Sequence, residues 1–181
     1  LGNQATDNET FYVDETPPVI TKLVGDPNCT DDMVTYCVNT STQITVSAVD
    51  AGCCDNTSVT VEYRIWYGGS WGVWTPYTVP ITFSEECLHY LEIRATDCLG
   101  NQATDNETFY VDETPPVITK LVGDPNCTDD GVTYCVTTAT QITASAVDAG
   151  CCDNTSVTVD YRIWYAGSWS AWTPYTVPIT F

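Results

Sequence analysis

The chain has 181 residues, enough for one domain or two. Its 24 Asp and Glu against 5 Lys and Arg leave a formal charge of −19, which excludes nucleic acid and an anionic membrane surface as partners, since both need clustered cations. A hydrophobic fraction of 43% supplies a packed core, so acidity here does not mean disorder. No apolar run approaches the ~18 residues of a transmembrane span, and no segment reads as a signal peptide.

The elements are strands. Apolar and polar residues alternate with the period of two that a pleated strand imposes, and no helical period competes. In chain order the candidates are Thr10–Val13, Val19–Val24, Thr42–Asp50, Val59–Tyr67, Gly72–Thr78 and His89–Thr96. Turn-forming clusters separate them: Pro17-Pro18, Gly25 to Asn28, Gly68-Gly69 and Leu99 to Asn101. Several short strands with such punctuation point to a β-sandwich.

Two of these strands carry a pairing signal. Set antiparallel, they place Arg64 opposite Glu92, Glu62 opposite Arg94, Trp66 opposite Tyr90 and Tyr63 opposite Ile93. Each favourable cross-strand pair contributes roughly 0.2–1 kcal/mol, and one register satisfies them all. Arg64, Arg94 and the repeat copy Arg162 therefore have a structural role.

The sequence also repeats. Residues 1–83 recur as 99–181 with eight differences, and only Ser84 to Cys98 occurs once. A period of 98 residues is domain-sized, so the expectation is an array of beads and not a short-repeat solenoid. Residues 1–13 read as the last strand of a preceding repeat, 14–111 as a complete domain, and 112–181 as a second domain lacking its last strands. The chain thus reads as a window on a longer array. The alternative is a subunit whose Leu1–Val13 strand completes a neighbour's unfinished sheet.

At the joint, Ala95-Thr-Asp-Cys-Leu-Gly-Asn101 followed by Tyr110-Val-Asp-Glu-Thr-Pro-Pro-Val-Ile118 resembles the junction between tandem immunoglobulin-like domains of bacterial and archaeal cell-surface proteins. Tyr63-Arg-Ile-Trp-Tyr67 and Trp74-Thr-Pro-Tyr77 resemble archaeal surface repeats of the same kind. The resemblance implies tandem immunoglobulin-like β-sandwiches in a stalk, adhesin, surface layer or fibre, with copies of itself as partners. The cysteine content departs from that pattern.

Ten cysteines without a Cys-x-x-Cys, and one His (His89) on a strand, argue for disulfides over zinc or redox chemistry. All ten are assigned to disulfides: Cys29, Cys37, Cys53, Cys54, Cys87, Cys98, Cys127, Cys135, Cys151 and Cys152. Cys87 and Cys98 flank one strand, some 30–36 Å apart, and cannot pair. In the immunoglobulin-like topology, Cys53, Cys54 and Cys98 gather at one end and Cys29, Cys37 and Cys87 at the other. The expected bridges are Cys29–Cys37, Cys98 with Cys53 or Cys54, and an inter-domain bridge from Cys87 to Cys151 or Cys152. The simpler rival is a Cys53–Cys54 bridge, or a long loop that carries Cys87 elsewhere.

Acidic loops gather at the same poles. Asp14, Asp50, Asp55 and Asp97 form one set, and Asp112, Asp148 and Asp153 the next. Hard oxygens converging at a joint suit Ca²⁺, which takes roughly six to eight of them; the other reading is solvated carboxylate. Asn-x-Ser/Thr triplets at Asn8, Asn28, Asn39, Asn56, Asn106, Asn126 and Asn154 make glycosylation an expectation. Trp66, Trp71 and Trp74 offer an alternative function, a carbohydrate-binding row, against the plainer reading of packed rings. No nucleophile elbow, phosphate loop or His-based triad occurs, so an enzyme is not expected.

Overall fold

The computed structural model describes residues 2–30, 35–52, 58–128, 130–152 and 157–181. The chain forms two compact units, Leu1–Asp112 and Glu113–Phe181. Strands dominate both, and among the described residues no helix is long and apolar enough to cross a membrane.

In unit 1, β1 (Val19–Val24) pairs antiparallel with β4 (Ile44–Val49). A larger sheet contains β2 (Asn28–Cys29), β3 (Thr35–Val38), β5 (Thr60–Tyr67), β6 (Ser70–Trp71), β7 (Thr75–Pro76), β8 (Cys87–Thr96) and β9 (Gln102–Val111). Its order is β2-β3-β9-β8-β5-β6, with β7 also on β5. The two sheets share one core, in which Ile44 and Val46 from the first meet Leu91, Ile93, Phe109 and Val111 from the second. Tyr36 and Phe83 close around Phe109, with ring centroids 5.4 and 5.0 Å from it.

The charge pattern correctly identified the β5–β8 ladder. Glu62 lies opposite Arg94, Tyr63 opposite Ile93, Arg64 opposite Glu92 and Trp66 opposite Tyr90. Arg94 donates to Glu62 at 2.6 Å, Arg64 pairs with Glu92, and the Trp66 and Tyr90 rings are 5.1 Å apart. His89 is buried between Tyr67 and Phe83, at 4.6 and 4.7 Å, as a core aromatic.

β9 binds the unit together. It pairs along its length with β8 and runs parallel to β3, matching Tyr36 to Phe109 and Val38 to Val111. From the facing sheet, the shielded Lys22 ammonium reaches Asp105 and Glu107 on β9, at 2.6 and 2.7 Å. A chain segment gains this much only where its backbone and both faces find partners.

The repeat of that segment behaves differently. Residues 4–13 have the sequence of β9, yet no strand forms there and every residue of 2–13 is exposed. The strand expected at Thr10–Val13 is thus absent. Strand structure needs a neighbour to pair its N–H and C=O groups, and alternation alone does not supply one. Gly72–Thr78 also contracts, to the two residues of β7.

Unit 2 repeats the first ladder residue for residue. β10 (Val117–Val122) and β13 (Ile142–Val147) pair Val117 with Val147 through Val122 with Ile142, the counterpart of Val19 with Val49 through Val24 with Ile44. β11 (Asn126–Cys127) pairs with β12 (Cys135–Val136), β14 (Asp160–Tyr161) with β17 (Thr173–Pro174), and β15 (Trp164–Tyr165) with β16 (Ser168–Trp169). Residues 113–181 contain no counterpart of β8 or β9, and the large sheet of unit 1 is here separate ladders. The core opens accordingly: Phe83 is 4% exposed, its copy Phe181 58%.

The identical residues Phe109 and Phe11 provide a direct comparison, being 0% and 79% exposed. Phe109→Ala is expected to cost about 3–5 kcal/mol of unit 1 stability in denaturant unfolding. Phe11→Ala is expected to stay within about 0.5 kcal/mol of the parent chain.

Candidate functional site

Three carboxylates meet at one end of unit 1. Asp14 precedes β1, Asp50 follows β4 and Asp97 follows β8. Their side-chain oxygens lie within 4.8 Å of one another, and the residues are 9%, 6% and 6% exposed. Local turns orient each one. Asp14 Oδ1 accepts the Thr16 N–H at 2.9 Å, and Asp50 Oδ1 accepts the Gly52 N–H at 3.1 Å. Asp97 Oδ1 accepts the N–H groups of Leu99 and Asn101, at 2.9 and 2.8 Å.

Asn101 ties the group together. Its Nδ2 donates to Asp97 Oδ2 at 2.8 Å and to the Asp14 carbonyl at 3.2 Å. Burial opposes the charged form of Asp97, but the side-chain and backbone bonds from Asn101, with those of Leu99 and Gly100, outweigh it. Its pKa therefore lies below the ordinary 3.8. Gly52 is required for a steric reason: a Cβ at that position would collide with the Asp14 carboxylate. Tyr12, Val13, Asp14, Thr16 and Gly52 line an opening to the solvent.

This donor set fits a hard cation. Three carboxylates held together away from water repel one another, and a divalent ion bound by oxygen ligands removes that cost. Asp14, Asp50 and Asp97 would hold it, with Asn101 and Gly52 setting their positions. Sequence reasoning named the three acids and missed Asn101 and Gly52. The signal for both was the Asx-turn spacing, Asp50 to Gly52 and Asp97 to Asn101.

The remaining acids divide. Asp112 and Asp148 stand outside the cluster; Asp112 donates its backbone N–H to the Val38 carbonyl, and Asp148 Oδ1 accepts the Gly150 N–H, both at 2.9 Å. Asp55 and Asp153 lie outside the described residues. In the exposed loop before β12, Asp130 is held at about 2, below the ordinary 3.8. The backbone N–H groups of Thr133 and Val132 and the Thr133 hydroxyl favour its charged form.

Cys37, Cys87, Cys98, Cys151 and Cys152 are disulfide-bonded. One expected bridge, Cys29–Cys37, and the assignment of Cys127 and Cys135 to disulfides are corrected: Cys29, Cys127 and Cys135 are thiols. Cys29 lies opposite Cys37, as the proposed clip required, but Cys37 is bonded elsewhere. Cys127 and Cys135 face each other across their ladder. A hydrogen bond with Cys127, together with its charge, raises the Cys135 pKa. Cys53 and Cys54 lie outside the described residues.

The tryptophans do not form a bare row. Trp66 packs on Tyr90, while Trp71 and Trp74 share the Arg64 guanidinium, each 4.7 Å from it. Arg94 lies 4.2 Å from Trp74, and Arg162 repeats the arrangement with Trp169 and Trp172 at 4.5 and 4.6 Å. Beside them runs a groove of about 380 Å³ lined by Arg64, Trp71, Tyr90, Glu92 and Asn106 among others.

The glycosylation triplets differ in access. Asn8 and Asn106 are exposed. Asn28 and Asn126 each spend Nδ2 on a loop carbonyl, Gly25 and Gly123, at 3.0 Å. Asn39 Oδ1 accepts from the Ser41 N–H at 2.9 Å, closing a turn. Asn56 and Asn154 lie outside the described residues.

No family model, curated protein or solved structure matches this chain.

Calcium is expected to raise the melting temperature of unit 1, by about 2.7 kcal/mol of stabilisation at one hundred times Kd. Asp50→Asn is expected to abolish that rise in a thermal-shift titration; equal melting with calcium and with chelator counts against a bound cation. Without calcium, the lowered Asp97 pKa stabilises the fold above the ordinary value of 3.8. That contribution is lost as pH falls through the folded-state pKa. Asp97→Asn is therefore expected to flatten the acid limb of a pH–stability curve.

Proposed function

We propose that this chain is a structural segment of an extracellular fibre, stalk or surface array built from tandem immunoglobulin-like repeats. The observation that carries the reading is the 98-residue period, together with the identical β1–β4 and β10–β13 registers it produces. Near-identical neighbours suit a uniform shaft better than a receptor with distinct sites. The bonded cysteines favour an oxidising exterior, and the −19 charge keeps such an array soluble.

In this reading, calcium at Asp14, Asp50 and Asp97 stiffens one end of a repeat, where the chain enters β1 and leaves β4 and β8. Glycans at Asn8 and Asn106 would shield exposed backbone. Its partners are further copies of the repeat.

A carbohydrate-binding module is the second reading. The groove beside Trp71 and Tyr90, with Arg64, Glu92 and Asn106 at hand, favours it. The packing of Trp71 and Trp74 on Arg64 favours scaffolding instead, since those ring faces already have a partner.

Gold-labelled antibody against this chain, applied to intact cells and sheared surface material, tests the function. Label along extended filaments is the expected result in electron micrographs. Label confined to the cell interior, or to compact soluble particles, would overturn it.

A further inference from the structure

The outer face of the large unit 1 sheet holds a groove that contains its own attachment point for a ligand. Two rows of side chains cross β5, β8 and β9 there. One runs Arg64, Glu92, Asn106 and the other Trp66, Tyr90, Thr108. The groove of about 380 Å³, within the range of small-molecule sites, lies along them. Trp71 of β6 lines the side away from β9. Trp71 and Tyr90 are 41% and 38% exposed, so part of each ring stands in water.

The triplet Asn106-Glu107-Thr108 borders this groove with all three of its residues. Its spacing is that of an N-glycosylation acceptor. Asn106 is exposed, and its side-chain amide enters no hydrogen bond among the described residues. Asn28 and Asn126, by contrast, commit Nδ2 to loop carbonyls. An acceptor amide therefore stands at one edge of a groove that also offers aromatic rings, a carboxylate and a guanidinium.

We propose that Asn106 carries an N-linked glycan and that the groove is the seat of that glycan's first sugars. In the attachment, Nδ2 attacks C1 of a lipid-phosphate-linked oligosaccharide brought by a separate transferase. The N–C1 bond forms, the C1–O bond to phosphate breaks, the amide gives one proton to the transferase's base, and the lipid phosphate leaves with the bonding pair. A pyranose ring is about as long as one strand spacing, roughly 4.8 Å. The first sugar then lies over Tyr90 and Glu92 on β8, and the second over Arg64 and Trp71. The negative face of an aromatic ring attracts the C–H groups on the apolar side of a pyranose. Glu92 accepts from sugar hydroxyls and Arg64 donates to them. The tether decides the occupant, because a glycan bonded to Asn106 meets the groove at far higher effective concentration than free sugar does. The inference deepens the reading of a glycan-shielded exterior, and rests on it, by naming where one glycan lies.

The test starts with protein purified from its native cells, digested so that the peptide bearing Asn106 can be weighed by mass spectrometry. A glycan mass on Asn106 is expected, and its loss from a Thr108→Val chain made in the same cells. In proton NMR spectra of the intact glycoprotein, the first two sugars on Asn106 are expected upfield of their positions in the excised glycopeptide, because ring currents shield protons held over an aromatic face. Trp71→Leu keeps apolar bulk at a half-exposed position and is expected to return the second sugar to its glycopeptide position. The glycoprotein is also expected to melt about 4 °C or more above the Asn106→Gln chain, a difference that Trp71→Leu reduces. A bare Asn106, sugar resonances that do not shift, or a melting difference indifferent to Trp71 overturns the proposal. So does a bare Asn106 in a chain whose Trp71 resonances move when free oligosaccharide is added, since the groove then takes sugar from outside. Filament labelling on cells depends on none of these quantities, so the two readings fail separately.

Discussion

The parallel contact between β3 and β9, clamped from the other sheet by Lys22, is what the rest of unit 1 depends on. β9 carries two fully buried apolar side chains, Phe109 and Val111, into the core. It also connects β3, and through it β2, to the β8–β5 pair. A shielded ammonium between two carboxylates adds direction to that burial. Hydrophobic contact alone tolerates a slipped strand, whereas Lys22 accepts only the register that delivers Asp105 and Glu107.

The end of unit 1 follows from the same frame. Because β1, β4 and β8 are fixed by pairing and core packing, the residues just outside them converge. Asp14, Asp50 and Asp97 become a cluster through the ends of three strands and not through any local motif. Turn hydrogen bonds and the missing side chain of Gly52 then bring three like charges close without a steric clash. The outer face is organised by a different interaction, tryptophan rings over arginine. It braces the short β6 and β7 connections against β5.

Much of this was legible in the residues. The β5–β8 register could be read from Arg64, Glu92, Glu62 and Arg94, because opposite charges two residues apart on each strand satisfy only one alignment. The meeting of Asp14, Asp50 and Asp97 was legible once strands and loops were marked. The thiols at Cys29, Cys127 and Cys135 were not, because cross-strand opposition is necessary for a bridge and does not choose among competing cysteines. Nor was the Lys22 clamp, since Lys22 and its acceptors stand more than eighty residues apart and on different sheets.

By itself the sequence determined that the protein is built of strands, that it repeats, which faces of its strands are apolar, and which residues oppose each other on β5 and β8. Those follow from period-two patterning and from short-range charge and ring pairing, which each strand carries with it. Only the tertiary structure decided what a repeated segment becomes. Residues 4–13 and 102–111 are the same ten residues, yet one lies exposed and the other is a paired strand that buries Phe109 and Val111. Strand formation is a property of the neighbours that accept its hydrogen bonds and cover its apolar face, and no window of sequence contains those neighbours.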